Sequence, residues 1–212
     1  MREIILASAS PRRAELLRRL GVVFTSVPSL VEEEPRPEGA RGADPRQLAL
    51  KRAGDKATAV SGRFPQSLVL AADTVVWCDG RIMDKPKTAA AAREMLQFLS
   101  GRQHQVYTGL ALRLAEKTAD AGWQGGYPAR LDDVVETSVQ FRKLSDAEIE
   151  GYLATGEPLG KAGGYGIQGF GALLIARIEG CFYNVVGLPL ARLGEMLSEF
   201  GVDLLCPGRS IT

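Results

Sequence analysis

The chain has 212 residues, 45% of them hydrophobic, enough to bury a sizeable core as one large domain or two small lobes. Its 26 Lys and Arg against 25 Asp and Glu leave a formal charge of +1, which excludes the global field of a typical nucleic-acid or anionic-membrane binder and requires that any polyanion be held locally. A charged N-terminus running into Pro11-Arg12-Arg13 argues against a signal peptide, no apolar run approaches the ~18 residues of a membrane span, and Cys78, Cys181 and Cys206 are isolated, so a reducing, cytoplasmic setting is expected.

Residues 3–8 form a short apolar run, and Pro11 then stands at a helix start ahead of leucines at helical spacing, so strand, tight turn and helix are predicted. A second strand is predicted at 22–27, followed by a Glu-, Pro- and Gly-rich loop over 29–44, a length often tied to function. Pro45 to Val60 reads as a helix, 67–78 as a fully buried strand, Asp79-Gly80 as a hairpin turn and Lys87 to Leu99 as an alanine-rich helix. Strands at 106–115 and 129–144 are joined by a Gly- and Trp-bearing loop around Ala119 to Pro128. Ser145 and Glu148 form a capping box opening a helix that runs to about Ala154. After Gly160 come a glycine-dense segment, a strand-like ALLIARI run at 172–178, an apolar CFYNVVG run at 181–187 and an amphipathic last helix within 188–201. Residues 206–212 read as a frayed tail on a body spanning 1–205. Interleaved helices and strands predict an α/β fold with a mixed sheet.

Several residues suit chemistry on a phosphate. Ser8-Ala9-Ser10-Pro11-Arg12-Arg13 ends a strand at a helix N-terminus, where free N–H groups, the dipole and two guanidiniums favour phosphate oxygens. The same residues would also serve as a plain helix cap with solvated arginines. Asp73 is an acid inside an otherwise apolar strand, so it must be paired, metal-bound or catalytic. Its tasks would be to bind a metal or activate water, with a structural ion pair as the alternative. Glu32, Glu33 and Glu34 read as solvated loop charge, though one could complete a Mg²⁺ site, an ion that needs only one or two carboxylates beside substrate phosphates.

Lys85 and Lys161 are surface lysines by default, but beside a departing pyrophosphate they would stabilise developing charge. A literal GxGxxG runs from Gly164 to Gly169, yet a lysine-led loop precedes it and a strand-like run follows, which is wrong for a dinucleotide fingerprint. It reads instead as a loop whose backbone approaches a ligand while Gln168 reads a base edge; a simple chain reversal would explain the glycines alone. The sole histidine, His104, has no acid or nucleophile patterned around it and is expected to be structural. Neither a GxSxG elbow nor a Walker motif is present.

LASASPRRAELL, ADTVV, DKP, LSGRQHQVYTG, KAGGYGIQG and VVGLPL follow one another in an order and spacing that resemble the Maf family of nucleotide pyrophosphatases over residues 4 to 200. The resemblance implies two lobes around a central cleft in an elongated mixed sheet, a divalent metal (Mg²⁺ or Mn²⁺), a homodimer and a cytoplasmic enzyme, with Asp73 as proton acceptor. It places Glu33, Lys85 and Lys161 around the phosphates and Arg52 where the family's helix carries lysine. Within the family, Arg12, Thr74 and Gln168 match the branch resembling dTTP/UTP pyrophosphatases, whereas the 7-methyl-GTP branch has tryptophan and glutamine at the first two. Gly160 departs from the acid many members carry before the lysine.

The expected mechanism has Asp73 and Glu33 hold the metal and Asp73 act as base for water attacking the α phosphorus. Ser8, Arg13, Arg52, Lys85 and Lys161 grip the phosphates, while Arg12, Thr74 and Gln168 select the base. A nucleotide-sensing regulator of cell division is the alternative.

Overall fold

A computed structural model of the chain describes residues 3–31, 44–114 and 127–205. Its elements are β1 (Ile4–Leu6), α1 (Pro11–Arg19), β2 (Phe24–Ser26), α2 (Pro45–Ser61), β3 (Leu68–Cys78), β4 (Arg81–Met83), α3 (Ala89–Leu99), β5 (Gln103–Leu114), β6 (Arg130–Phe141), α4 (Asp146–Ala154), β7 (Ile175–Glu179), α5 (Phe182–Val186) and α6 (Leu190–Ser198). The seven-stranded sheet runs β2-β1-β3-β5-β6-β7, with β4 on β3. It is mixed, as the interleaving predicts: β1 pairs parallel with β2 and β3, and the remaining pairs are antiparallel.

The early elements and the Ser145–Glu148 capping box form where the sequence places them. The later runs differ more. ALLIARI is not one strand: Gly169–Leu174 is a 3₁₀ turn and β7 begins at Ile175. The Glu157 carboxylate takes the N–H groups of Phe170 and Gly171, bending the chain before the sheet captures it. Most of the expected loops at 29–44 and around 119–128, and the tail at 206–212, lie outside the described residues.

Alternation along β3 and β5 sends odd and even residues to opposite faces. On the even face Leu68, Leu70, Ala72, Leu110 and Leu112 pack with Leu16 and Leu17 of α1 and Leu193, Met196 and Leu197 of α6. Further along that face, Val76, Cys78 and Val106 pack with Leu96 and Leu99 of α3 and Ile149 and Tyr152 of α4. Between these two apolar cores stand the register partners Thr74 and Thr108. The odd face repeats the division: Val69, Ala71 and Ala111 lie in one cluster and Val75 and Tyr107 in another, with Asp73 and Gly109 facing each other between them. On each face of the one sheet, two apolar clusters flank a polar waist.

Helix α2 covers the odd face by an alanine stripe, Ala49, Ala53 and Ala57, all fully buried. Small side chains let the helix lie close to the strands, and Gly109 takes this furthest. A methyl at Gly109 would fall inside the Ala49 carbonyl and 2.9 Å from the Leu50 amide nitrogen. Gly109→Ala should therefore cost about 1–3 kcal/mol through overpacking. The control Gly62→Ala, at a helical φ with open space around it, should shift stability by less than about 0.5 kcal/mol. Urea midpoints of the two variants check the contrast.

Candidate active site

Strand β1 accompanies β3 only over Leu68–Leu70, and β4 joins it only from Val76. Residues 71–75 therefore have no strand partner on that side among the described residues, and a cleft of about 470 Å³ opens there. Asp73 and Thr74 point to opposite faces of the sheet, yet both line this cleft because the strand edge between the faces is open. Among the described residues its charged lining is Arg12, Arg13, Lys56, Lys85 and Lys161 around a single acid, Asp73. A chain of formal charge +1 thus concentrates cations in one place.

The first wall is the β1 exit and the start of α1. Ser10 is the N-cap residue, but its side chain makes no capping bond, and Pro11 has no N–H to satisfy. The first turn keeps its anion-binding character. Ser8 Oγ accepts from the Ser10 amide at 3.1 Å and from Arg13 Nη1 at 3.4 Å. Arg13 also donates from Nε to the Gly187 carbonyl at 2.8 Å and from Nη2 to Thr74 Oγ1 at 3.1 Å. This guanidinium is held in place rather than solvated. Burial lowers the pKa of Arg12, and Lys161 is lowered by burial and then by the Arg12 charge. Two cations lodged this close are relieved by an anion between them.

Asp73 is 3% exposed. Lys56 Nζ donates to its Oδ1, and Arg52 Nη1 lies 3.9 Å from Oδ2 and 3.7 Å from Asp84 Oδ1. Arg52, expected among the cleft cations, is thus not among the residues lining the cleft; it sits behind Asp73, and Lys56, one helical turn on, reaches the cleft instead. Lys56 is not among the residues expected at the site. A signal was present: 49, 52, 53, 56, 57 and 60 form one helical stripe, so two cations fall within a face otherwise made of Ala and Val. A buried stripe with cations in it requires a buried acid opposite.

Lys85, Lys161 and Gln168 come from loops. Lys85 lines the cleft after β4, and its turn is tied to the glycine-rich segment by Gly160 N–H to the Pro86 carbonyl and Gly163 N–H to the Asp84 carbonyl, at 3.4 and 3.3 Å. Lys161 Nζ donates to the Glu157 carbonyl. Gly160 has φ +71°, a conformation that favours glycine over an acid. Gln168 is exposed at the cleft wall. Tyr152 backs this loop, its hydroxyl accepting from Gly166 N–H at 3.1 Å. Burial raises that phenol to about 12, so it stays protonated.

Among the described residues no three His, Cys, Asp or Glu side chains converge on one point. The buried Asp73 Oδ2 nonetheless accepts no hydrogen bond, leaving a carboxylate oxygen able to ligate. One carboxylate plus substrate phosphate oxygens is a donor set that suits Mg²⁺. Glu33, the other expected ligand, lies outside the described residues.

The profile of the Maf-like protein family matches residues 3–200. The chain is 51% identical over 204 residues to a dTTP/UTP pyrophosphatase of Moorella thermoacetica, covering 96% of this chain and 98% of that one. It is 48% identical over 200 residues to a dTTP/UTP pyrophosphatase of Bacillus cytotoxicus, covering 94% and 96%. Among solved structures it is similar in fold to a HAM1 protein from Coxiella burnetii, with TM-score 0.50 and 17% identity, covering 94% of this chain and all of that one.

His104 lies behind the cleft wall. It is fully buried, bonded through Nε2 to the hydroxyl of Tyr165 at 2.7 Å and edge-on to Phe141. Burial pushes its pKa from 6.5 down to about 4, so the folded protein holds it neutral, in the structural role expected. The unfolded chain takes up the proton near 6.5 and the folded one only near 4, so stability is complete above pH 6.5 and falls as the pH drops towards 4. The loss should approach roughly 3 kcal/mol. As the chain has one histidine, its Hε1 resonance in a tag-free sample should stay at the neutral shift to pH 5, while urea midpoints fall over the same range.

Proposed function

This chain belongs to the Maf family, and from that premise we propose that it hydrolyses dTTP and UTP to the nucleoside monophosphate and pyrophosphate. The observation that carries the reading is the cleft lined, among the described residues, by five cations around one buried acid. A triphosphate brings about four negative charges, and fixed cations in a cleft stabilise it most where charge grows on the leaving pyrophosphate.

Arg13, the first turn of α1, Lys85 and Lys161 grip the phosphates. Lys56 donates to Asp73 Oδ1 and Arg52 stands 3.9 Å from Oδ2, so two cations fix the carboxylate in the cleft wall. The Asp73 carboxylate accepts a proton from water as the water oxygen bonds to the α phosphorus, and the bridging bond to the β phosphate breaks in line. The electron pair leaves on pyrophosphate. Asp73 would also hold a divalent cation, Mg²⁺ or Mn²⁺, together with substrate oxygens and Glu33; such an ion, when bound, neutralises phosphate charge and lowers the pKa of coordinated water. Arg12 and Gln168 select the base, while Thr74, bonded to Arg13, serves the phosphate side. Homodimerisation and a cytoplasmic location belong to the same proposal; no helix among the described residues is long and apolar enough to cross a membrane.

Asp73→Asn keeps the size of the side chain but removes the base. Its kcat/KM for dTTP and UTP should fall by about 10²–10⁴-fold, read as pyrophosphate release with orthophosphate measured separately. Undiminished pyrophosphate release would remove Asp73 from the mechanism, and orthophosphate as first product would move the cleaved bond.

A further inference from the structure

Behind Arg13 a chain of hydroxyls runs from half-buried Thr74 in the cleft to helix α5. Thr74 Oγ1 lies 2.9 Å from Thr108 Oγ1, and Thr108 Oγ1 lies 3.0 Å from the backbone carbonyl of Asn184. Thr108 and Asn184 are both fully buried. Asn184 is itself fixed, because its Nδ2 donates to the Val106 carbonyl at 2.9 Å and to Thr137 Oγ1 at 3.0 Å. Turning that amide over would set its oxygen against the Val106 carbonyl, two acceptors facing each other.

The direction of each bond follows from which groups have protons. A carbonyl only accepts, so Thr108 spends its one proton on Asn184. Thr108 then has only lone pairs for Thr74, so Thr74 must be the donor between the two. Its own proton is thereby committed away from the cleft, and what Thr74 presents to Arg13 Nη2 is a lone pair. The second hold on Arg13 also traces to Asn184. The Gly187 carbonyl that takes Arg13 Nε directly follows α5, and the Gly187 N–H is bonded back to the Asn184 carbonyl at 3.0 Å.

We propose that Thr108 and Asn184 are positioning residues for substrate binding: their relay locks the Thr74 hydroxyl as an acceptor and so keeps the Arg13 guanidinium aimed at the phosphates. This rests on the reading of the cleft as a triphosphate site. Neither residue touches the cleft, and the effect reaches it through the polarity of one hydroxyl. Without the Thr108 oxygen, the Thr74 proton has no acceptor behind it and turns towards Arg13, where a donor meets a donor.

Thr108→Val removes the hydroxyl at nearly constant shape, and the Asn184 carbonyl keeps its bond from Gly187. Thr108→Ser restores the hydroxyl. Calorimetry with α,β-methylene-dTTP, which cannot be cleaved between the α and β phosphates, should show Thr108→Val binding about tenfold more weakly, the loss of one hydrogen bond to a charged group. KM for dTTP should rise by a similar factor with kcat within about threefold, while Thr108→Ser stays within about twofold of the parent on both measures. Equal affinity in Thr108→Val and the parent would overturn the relay. So would an equal loss in both variants accompanied by a lower urea midpoint, which marks mere packing. A parent that binds the analogue but releases no pyrophosphate would fail the enzymatic reading alone, leaving the relay to be judged on affinity; a parent that binds no analogue would overturn both.

Discussion

A carboxylate buried in the middle of a central strand is the constraint on which the site depends. Breaking such a pair by losing one partner costs about 3–5 kcal/mol, so Asp73 obliges a cation to reach it through the body of the protein. Helix α2 supplies two, Arg52 behind the acid and Lys56 beside it. They can arrive only because the helix lies almost on the strands, which in turn requires Ala49, Ala53 and Ala57 on its face and no side chain at Gly109. The packing of small residues and the electrostatics of the acid are therefore one arrangement.

The polar waist of the sheet explains why the cleft lies where it does. Leucine and valine continue along both faces of β3 and β5 on either side of Asp73 and Thr74, and the apolar clusters stop at that level. The strand edge is open over the same residues, because β1 is short and β4 joins late. Consecutive residues that alternation would separate can thus serve one ligand, Asp73 from the side of α2 and Thr74 from the side of α1 and α5.

Charge is distributed with the same economy. Ion pairs such as Lys51–Asp55, Arg142–Glu148 and Arg102–Asp79 are well exposed and contribute little in water. In the cleft, burial depresses both Arg12 and Lys161, and the Arg12 charge depresses Lys161 further. That strain is tolerable in a site whose ligand is a polyanion, and a neutral ligand would leave it unrelieved.

The sequence by itself determined the secondary structure of the first two thirds of the chain, the helix start with two arginines at residues 8–13, and the fact that Asp73 needed partners, since periodicity, caps and an acid in an apolar strand are local signals. Its motif order also carried the family. What it did not contain was the rotation of α2. Arg52 and Lys56 fall on the same stripe, and only the contact of the helix with Gly109 decides which of them faces the cleft. The run at 172–178 is strand-like in sequence, but its bend is imposed by Glu157, a residue with no local mark of that task. Thr108 and Asn184 were likewise invisible, being ordinary residues in apolar runs. Their partners lie 34 and 76 positions away, and a hydrogen bond acquires its direction only when three dimensions bring donor and acceptor together.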